Sequence, residues 1–215
     1  MKFGVLGTGV VGQTIASKLV HLGQDVMMGS RDAGNPKAVE WANNEGSPRA
    51  LYGTFANAAA HGEIIFNCTL GAASLEALQQ AGADNLKGKI LIDTANPIDY
   101  STNEWLLTVC NTDSLGEQIQ RAFPEARVVK SLNTVNCNIM VEPNKLSERT
   151  DVFVSGNDAD AKKAVTKILH DFGWISVIDL GDIITSRSVE MYIVLWRNFR
   201  HVVNSYRFNI KLVSH

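Results

Sequence analysis

Phe3-Gly4-Val5-Leu6-Gly7-Thr8-Gly9-Val10-Val11-Gly12 is the stretch whose reading decides the fold. An apolar run of strand length leads directly into three glycines spaced as GxGxxG. A helical pattern follows, with Ile15, Leu19 and Leu22 recurring on one face and Gly23 closing it as a C-cap. A second strand, Asp25 to Met28, completes a βαβ unit. The glycine spacing alone carries little weight, but between a strand and a helix it matches the dinucleotide fingerprint. Gly7 permits the tight turn, Gly9 lets backbone approach a pyrophosphate, and Gly12 lets the helix pack closely on the sheet. The amides of Thr8, Val10 and Val11 then offer donors at the positive end of the helix dipole. A glycine-rich turn that binds nothing is the plainer alternative.

Outward from this unit, short apolar runs alternate with helical patterns, the order of a mostly parallel sheet covered on both faces. Eight strands are predicted: Lys2 to Leu6, Asp25 to Met28, Ala50 to Tyr52, Ile64 to Cys68, Ile90 to Ile92, Arg127 to Lys130, Asp151 to Val154 and Ser176 to Ile178. The fold class is therefore α/β, a doubly wound Rossmann sheet of about eight strands with a small C-terminal helical portion. Residues 1–150 form the nucleotide-binding domain and residues 151–215 a small αβ extension packed on it. Ala161, Ala164, Val165, Ile168 and Leu169 mark a helix ended by Gly173. A last helix, Ser186 to Tyr206, places Val189, Tyr192, Ile193, Trp196, Phe199 and Val203 on one face, as core first and as a subunit contact second. Asn96 to Gly116 is the least regular stretch and reads as a surface loop near the ligand.

Cofactor choice turns on the end of the second strand, where NAD enzymes usually place an acid on the ribose 2'-hydroxyl. Here it reads Met28-Gly29-Ser30-Arg31. A hydroxyl and a guanidinium fork suit a 2'-phosphate, which favours NADP(H), and Lys37 could add a point charge. Asp32, one residue later, is the competing candidate for the acid's task.

Composition narrows the rest. The 215 residues carry a net charge of -2, with 45% hydrophobic and 20% charged residues, so neither disorder nor a nucleic-acid partner is suggested. Cys68, Cys110 and Cys137 lack CxxC spacing, which argues against a disulfide framework or a metal site and for a reducing compartment. The N-terminus lacks signal-peptide character and no segment reads as a membrane span, so the cytoplasm is expected.

The Gly-Thr-Gly-x-x-Gly turn, the Gly-Ser-Arg after the second strand, Val128-Val129-Lys130-Ser131-Leu132-Asn133-Thr134 and Phe208-Asn209-Ile210-Lys211-Leu212 resemble the NADP oxidoreductases dependent on coenzyme F-420, an 8-hydroxy-5-deazaflavin. The resemblance covers essentially the whole chain, and the N-terminal part is also similar to the reductase domain of the STEAP metalloreductases. It implies a compact Rossmann domain, a small C-terminal portion and hydride transfer between NADP(H) and a flat tricyclic partner stacked on the nicotinamide; a homodimer is expected separately. It places cofactor contacts on Thr8, Val10, Val11, Ser30, Arg31 and Lys37. It puts the nicotinamide-side loops at Thr69-Leu70-Gly71, Ala95-Asn96-Pro97 and Asn133-Thr134.

The acceptor region departs from the deazaflavin-dependent members, which carry a His at the position of Asn133 and bulkier residues at Gly71-Ala72-Ala73. Those small residues are expected to leave room for a ring system, with coenzyme F-420, a flavin or a quinone as acceptor. Asn96 and Asn133 either contact ligand or cap turns, and the Asn96-Pro97 bond could be cis. None of His21, His61, His170, His201 and His215 falls on a strand-end loop, so no catalytic acid is nominated. Lys130 could polarise a carbonyl, although a strand-end lysine is more often solvated or ion-paired. Reduction of another small carbonyl or imine substrate, and a redox-sensing or scaffold protein that binds NADP without turnover, stay open.

Overall fold

The computed structural model describes residues 1–101 and 104–214, so His215 lies outside it. In chain order the elements are β1 (Lys2–Leu6), α1 (Val10–His21), β2 (Asp25–Ser30), α2 (Pro36–Glu45), β3 (Ala50–Thr54), α3 (Phe55–His61), β4 (Ile64–Asn67), α4 (Ser74–Ala81), α5 (Ala83–Leu86) and β5 (Ile90–Asp93). They continue with β6 (Ile98–Asp99), β7 (Leu106–Leu107), α6 (Leu115–Ala122), β8 (Arg127–Ser131), α7 (Cys137–Val141), β9 (Asp151–Ser155), α8 (Ala159–Phe172), β10 (Ser176–Asp179) and α9 (Ser186–Val203).

All eight predicted strands lie in one sheet of order β10-β9-β8-β5-β4-β1-β2-β3. Six run parallel, whereas β9 pairs antiparallel with β8 and carries β10 with it. The sheet is doubly covered because successive strand residues feed opposite cores. Val5, Phe66, Ile92 and Val129 pack with Ile15 and Leu19 of α1 and Val165 and Leu169 of α8 on one face. Their neighbours Leu6, Ile65, Leu91 and Val128 pack with Leu78 of α4 and Ile119 of α6 on the other.

Helix ends follow the local chemistry. Gly23 (φ +79°) and Gly173 (φ +108°) sit in the left-handed region just past α1 and α8, as expected of C-terminal glycines. Asn35 caps α2 by accepting from Lys37 N and Ala38 N, and Thr54 and Asn57 form a reciprocal capping box on α3. The final helix is shorter than predicted. It stops at Val203 with Asn204 in the left-handed region, and Val203 faces solvent while Val189, Ile193 and Trp196 are buried.

The stretch read as a surface loop is exposed over much of its described length, as expected, but it carries regular structure that the sequence does not show. Residues 96–116 hold a two-stranded antiparallel ribbon, Ile98 opposite Leu107, and Pro97 and Ile98 are buried against the body of the protein. The peptide bond preceding Pro97 is trans.

Beyond the ribbon, Arg121 grips Asp113 through two hydrogen bonds, of 3.0 and 2.8 Å. These bonds hold the Asp113 carboxyl down, at about 2 against an ordinary 3.8. Because the folded value lies below the unfolded one, this stabilisation is complete above about pH 4 and fades as pH falls toward 2. Asp113→Asn is expected to flatten the decline of melting temperature over that acid window, and a melt series from pH 6 to pH 2 checks it.

Candidate functional site

The carboxyl ends of β1, β2, β4, β5 and β8 open into a cleft of about 700 Å³, at the point where strand order reverses between β1 and β4. The glycine turn forms its floor. Gly7 has φ +116°, and a side chain there would meet the Cys68 carbonyl oxygen at 2.6 Å. A Cβ on Gly12 would stand 2.1 Å from the Gly7 carbonyl oxygen, so what Gly12 permits is close seating of α1 on the turn itself. Gly9 is different, since a Cβ there meets nothing within 4 Å. The space is open on the side where the first amides of α1 lack a side-chain cap and no acidic residue occupies the first turn. That combination fits a diphosphate: unpaired N–H groups, the helix dipole and room for the anion.

At the β2 end, Arg31 is exposed on the cleft wall beside Ser30, Asp32 and Asn35. The Ser30 hydroxyl is turned inward and donates to the Asp32 carbonyl at 2.5 Å. Its proton is committed, which leaves the exposed guanidinium of Arg31 as the cationic group on this edge of the cleft. Lys37 is not brought to the cleft. It lines a neighbouring groove of about 520 Å³ with Lys18, His21 and Glu45, because α2 turns it toward α1.

The strand-end loops converge as expected, though for reasons sequence did not show. Thr69, Leu70, Gly71, Ala95, Asn96 and Asn133 line the cleft, whereas Gly12, Pro97 and Thr134 are buried behind it. Asn96 Nδ2 donates to the Asn133 carbonyl at 2.9 Å, and Asn133 Nδ2 donates to Asn96 Oδ1 at 3.0 Å and to the Val189 carbonyl at 2.9 Å. The two asparagines clasp the β5 and β8 loops together and tie both to α9. Gly71 is not small in order to leave a void. Its Cβ would lie 2.1 Å from the Asn96 carbonyl oxygen, so the absent side chain lets the β4 and β5 loops touch.

Lys130 cannot polarise a substrate carbonyl. Its ammonium is wholly buried and makes three contacts, to Asp93 Oδ2 at 2.6 Å, the Ala95 carbonyl at 2.7 Å and Glu190 Oε1 at 2.7 Å. Burial by itself depresses a lysine, but the charges of Asp93 and Glu190 outweigh it and hold Lys130 above its ordinary value. Cys68, on the cleft wall, is pushed up to about 12, chiefly by burial, which keeps it a neutral thiol. None of His21, His61, His170 and His201 lines the cleft.

Beyond the asparagine pair the cleft is walled by groups that sequence reading assigned to loop and core. Trp105, from the ribbon, stacks on Trp196 of α9 with ring centres 6.3 Å apart and planes at 7°, and Tyr100 meets Trp105 edge-on. Ile98 and Ile193 line the same end and pack in one cluster with Trp196 and Trp105. Thr134 Oγ1, Tyr192 Oη and Trp196 Nε1 are buried without a hydrogen-bond partner. The available signal was aromatic density, since Tyr100, Trp105, Tyr192 and Trp196 crowd two short segments. Among the described residues, no cluster of His, Cys, Asp and Glu could hold a metal ion, and no helix is long and apolar enough to cross a membrane.

The family model described as NADP oxidoreductase coenzyme F420-dependent matches residues 2–97. A crystal structure from Arthrobacter sp. FB24, provisionally named an F420-dependent NADP-reductase, is 46% identical over the whole of both chains with a TM-score of 0.94. The F420-dependent NADP reductase of Methanocaldococcus jannaschii is 27% identical, covering 88% of each chain. Metalloreductase STEAP3 of Rattus norvegicus is 29% identical over 88% of this chain, which spans only 36% of that longer protein. On the full-length match, and with the glycine turn in place, this chain belongs to the family of coenzyme F420-dependent NADP oxidoreductases.

Proposed function

We propose that the protein is an NADPH-dependent oxidoreductase that passes a hydride between NADP(H) and a flat deazaflavin or flavin-like acceptor. The observation that carries the reading is the continuity of one cleft, from the Arg31 edge over the open Gly9 turn to the Trp105 and Trp196 wall. The amides of Thr8, Val10 and Val11 grip the diphosphate, and the guanidinium of Arg31 grips the 2'-phosphate. Ala95, Asn96 and Asn133 border the nicotinamide, and the bound cofactor supplies the hydride chemistry. The chain's part is positioning and exclusion of water, because transfer between two ring carbons depends on near-attack geometry rather than on a strong acid. Ile98, Trp105, Ile193 and Trp196 make this end of the cleft apolar and aromatic, which suits a flat ring system.

The reading extends to a homodimer in the cytoplasm, built from a nucleotide-binding part over residues 1–150 and a packed extension over residues 151–215. Val194, Leu195 and Val202 leave an apolar face exposed on α9, which supports the dimer.

Arg31→Ala is expected to remove a charge-assisted contact of about 1.5 to 3 kcal/mol, weakening NADPH binding by roughly tenfold or more while leaving NADH binding unchanged. Calorimetry with both cofactors tests this, and equal affinity of the unaltered protein for the two would sink the NADP assignment. NADPH oxidation against a panel of deazaflavin, flavin, quinone and imine acceptors tests the rest. Turnover with imines alone would move the assignment to imine reduction, and binding without any turnover would favour a sensor or scaffold.

A further inference from the structure

Lys130, Asp93 and Glu190 are 1%, 0% and 1% exposed, and none of them reaches the cleft. A buried ion cluster of this kind is a poor source of stability, since apolar groups of similar volume often serve as well or better. What distinguishes this one is the set of elements it joins.

The three ammonium protons of Lys130 meet Asp93, Glu190 and the Ala95 carbonyl, so its donor capacity is filled. Asp93 Oδ1 accepts from Asn67 Nδ2 at 2.8 Å, at the end of β4, and from Ala95 N at 3.2 Å. Glu190 uses both oxygens on the first amides of α6, Leu115 N at 2.8 Å and Gly116 N at 2.9 Å. Ala95 is thus held at its amide by Asp93 and at its carbonyl by Lys130. Asn96, the next residue, is clasped by Asn133, whose neighbour Leu132 sits at φ +64°, a conformation uncommon for a leucine. Backbone in that region persists where surroundings over-determine it, and here the surroundings are Lys130 on β8 and Val189 next to Glu190 on α9.

We infer that Lys130 is a positioning residue for hydride transfer: through Asp93, Glu190 and the Ala95 carbonyl it sets where the Ala95-Asn96 wall stands against the nicotinamide. The inference rests on the hydride-transfer reading above and adds a role for a residue that touches neither cofactor nor acceptor. Lys130→Met removes the clamp and leaves two buried carboxylates facing each other. Lys130→Met/Glu190→Gln removes it at the same net charge of the cluster, since one positive and one negative group are lost together.

The test uses the full chain and three readouts. Calorimetric NADPH affinity reports the phosphate grips, emission of bound NADPH reports immobilisation of the nicotinamide, and single-turnover oxidation with free 8-hydroxy-5-deazaflavin or flavin reports transfer. Affinity is expected to stay within about threefold, while the emission gain on binding is lost and transfer slows about 30- to 100-fold, the scale of an ångström of misplacement. A merely structural role would lower the melting temperature and affinity together and leave emission of the bound fraction unchanged. Unchanged emission and transfer in either folded variant would overturn the inference, as would failure of both variants to fold. Should the unaltered protein bind NADPH with enhanced emission yet transfer to no acceptor, the acceptor reading fails, and the emission comparison still decides the role of Lys130.

Discussion

Gly9→Val is expected to abolish NADPH binding in a protein that still folds. Gly9 has φ −77° and ψ 178°, a backbone conformation open to any residue, and a side chain there meets no protein atom within 4 Å. The residue caps α1 without a side-chain hydrogen bond, so exchanging it costs on the order of 1 kcal/mol of helix-start stability. The valine methyls would instead fill the volume that a diphosphate must occupy to reach the first amides of α1. Loss of those charge-assisted bonds should weaken binding at least about 100-fold, or roughly 2.7 kcal/mol. Circular dichroism melting paired with calorimetry separates the two effects. A folded Gly9→Val protein that binds NADPH within a fewfold of the unaltered one would refute the placement of the turn.

The opposite balance is expected at Gly71. Even alanine there would place a methyl carbon 2.1 Å from the Asn96 carbonyl oxygen and 2.9 Å from Pro97 Cα, both backbone atoms that cannot rotate away. The β4 and β5 loops must part, which costs about 1 to 3 kcal/mol as overpacking does and loosens the Asn96 clasp on Asn133. Gly71→Ala should therefore lower the melting temperature by several degrees and slow transfer more than tenfold, the scale that displacement of a positioned wall produces. The diphosphate grip lies elsewhere on the cleft, so affinity should change much less. A variant with unchanged melting and turnover would mean that the two loops do not touch in solution.

These two glycines also mark how far the residues can be read without coordinates. The GxGxxG spacing spoke through local rules, and the eight strands stood out because runs such as Ile64-Ile65-Phe66 are buried on both faces. Strand direction leaves no trace in such a run, so the reversal at β9 was not legible. The 98–107 ribbon has strands of two residues, too short for any periodicity, and its pairing depends on packing against α9. The resemblance and its charge point Lys37 to the same phosphate as Arg31, but helix rotation carries it to another groove. Gly71 looked like vacant space and is an occupied contact. Glu190 gave no signal at all, because its partners at Leu115, Gly116 and Lys130 lie 60 or more positions away.

The reversal at β9 has a consequence in time as well as in space. Because the chain doubles back there, α9 returns to the strand ends and brings Ile193 and Trp196 to a cleft whose floor is built from residues 7–11. On the ribosome, the glycine turn between β1 and α1 emerges roughly ten seconds or more before those two side chains, at ordinary elongation rates. During that interval the glycine turn stands with no opposite wall, and Lys130 waits with Asp93 for a second carboxylate still to be translated. The last helix to appear is therefore the one that adds Ile193 and Trp196 to the cleft and so completes its far wall.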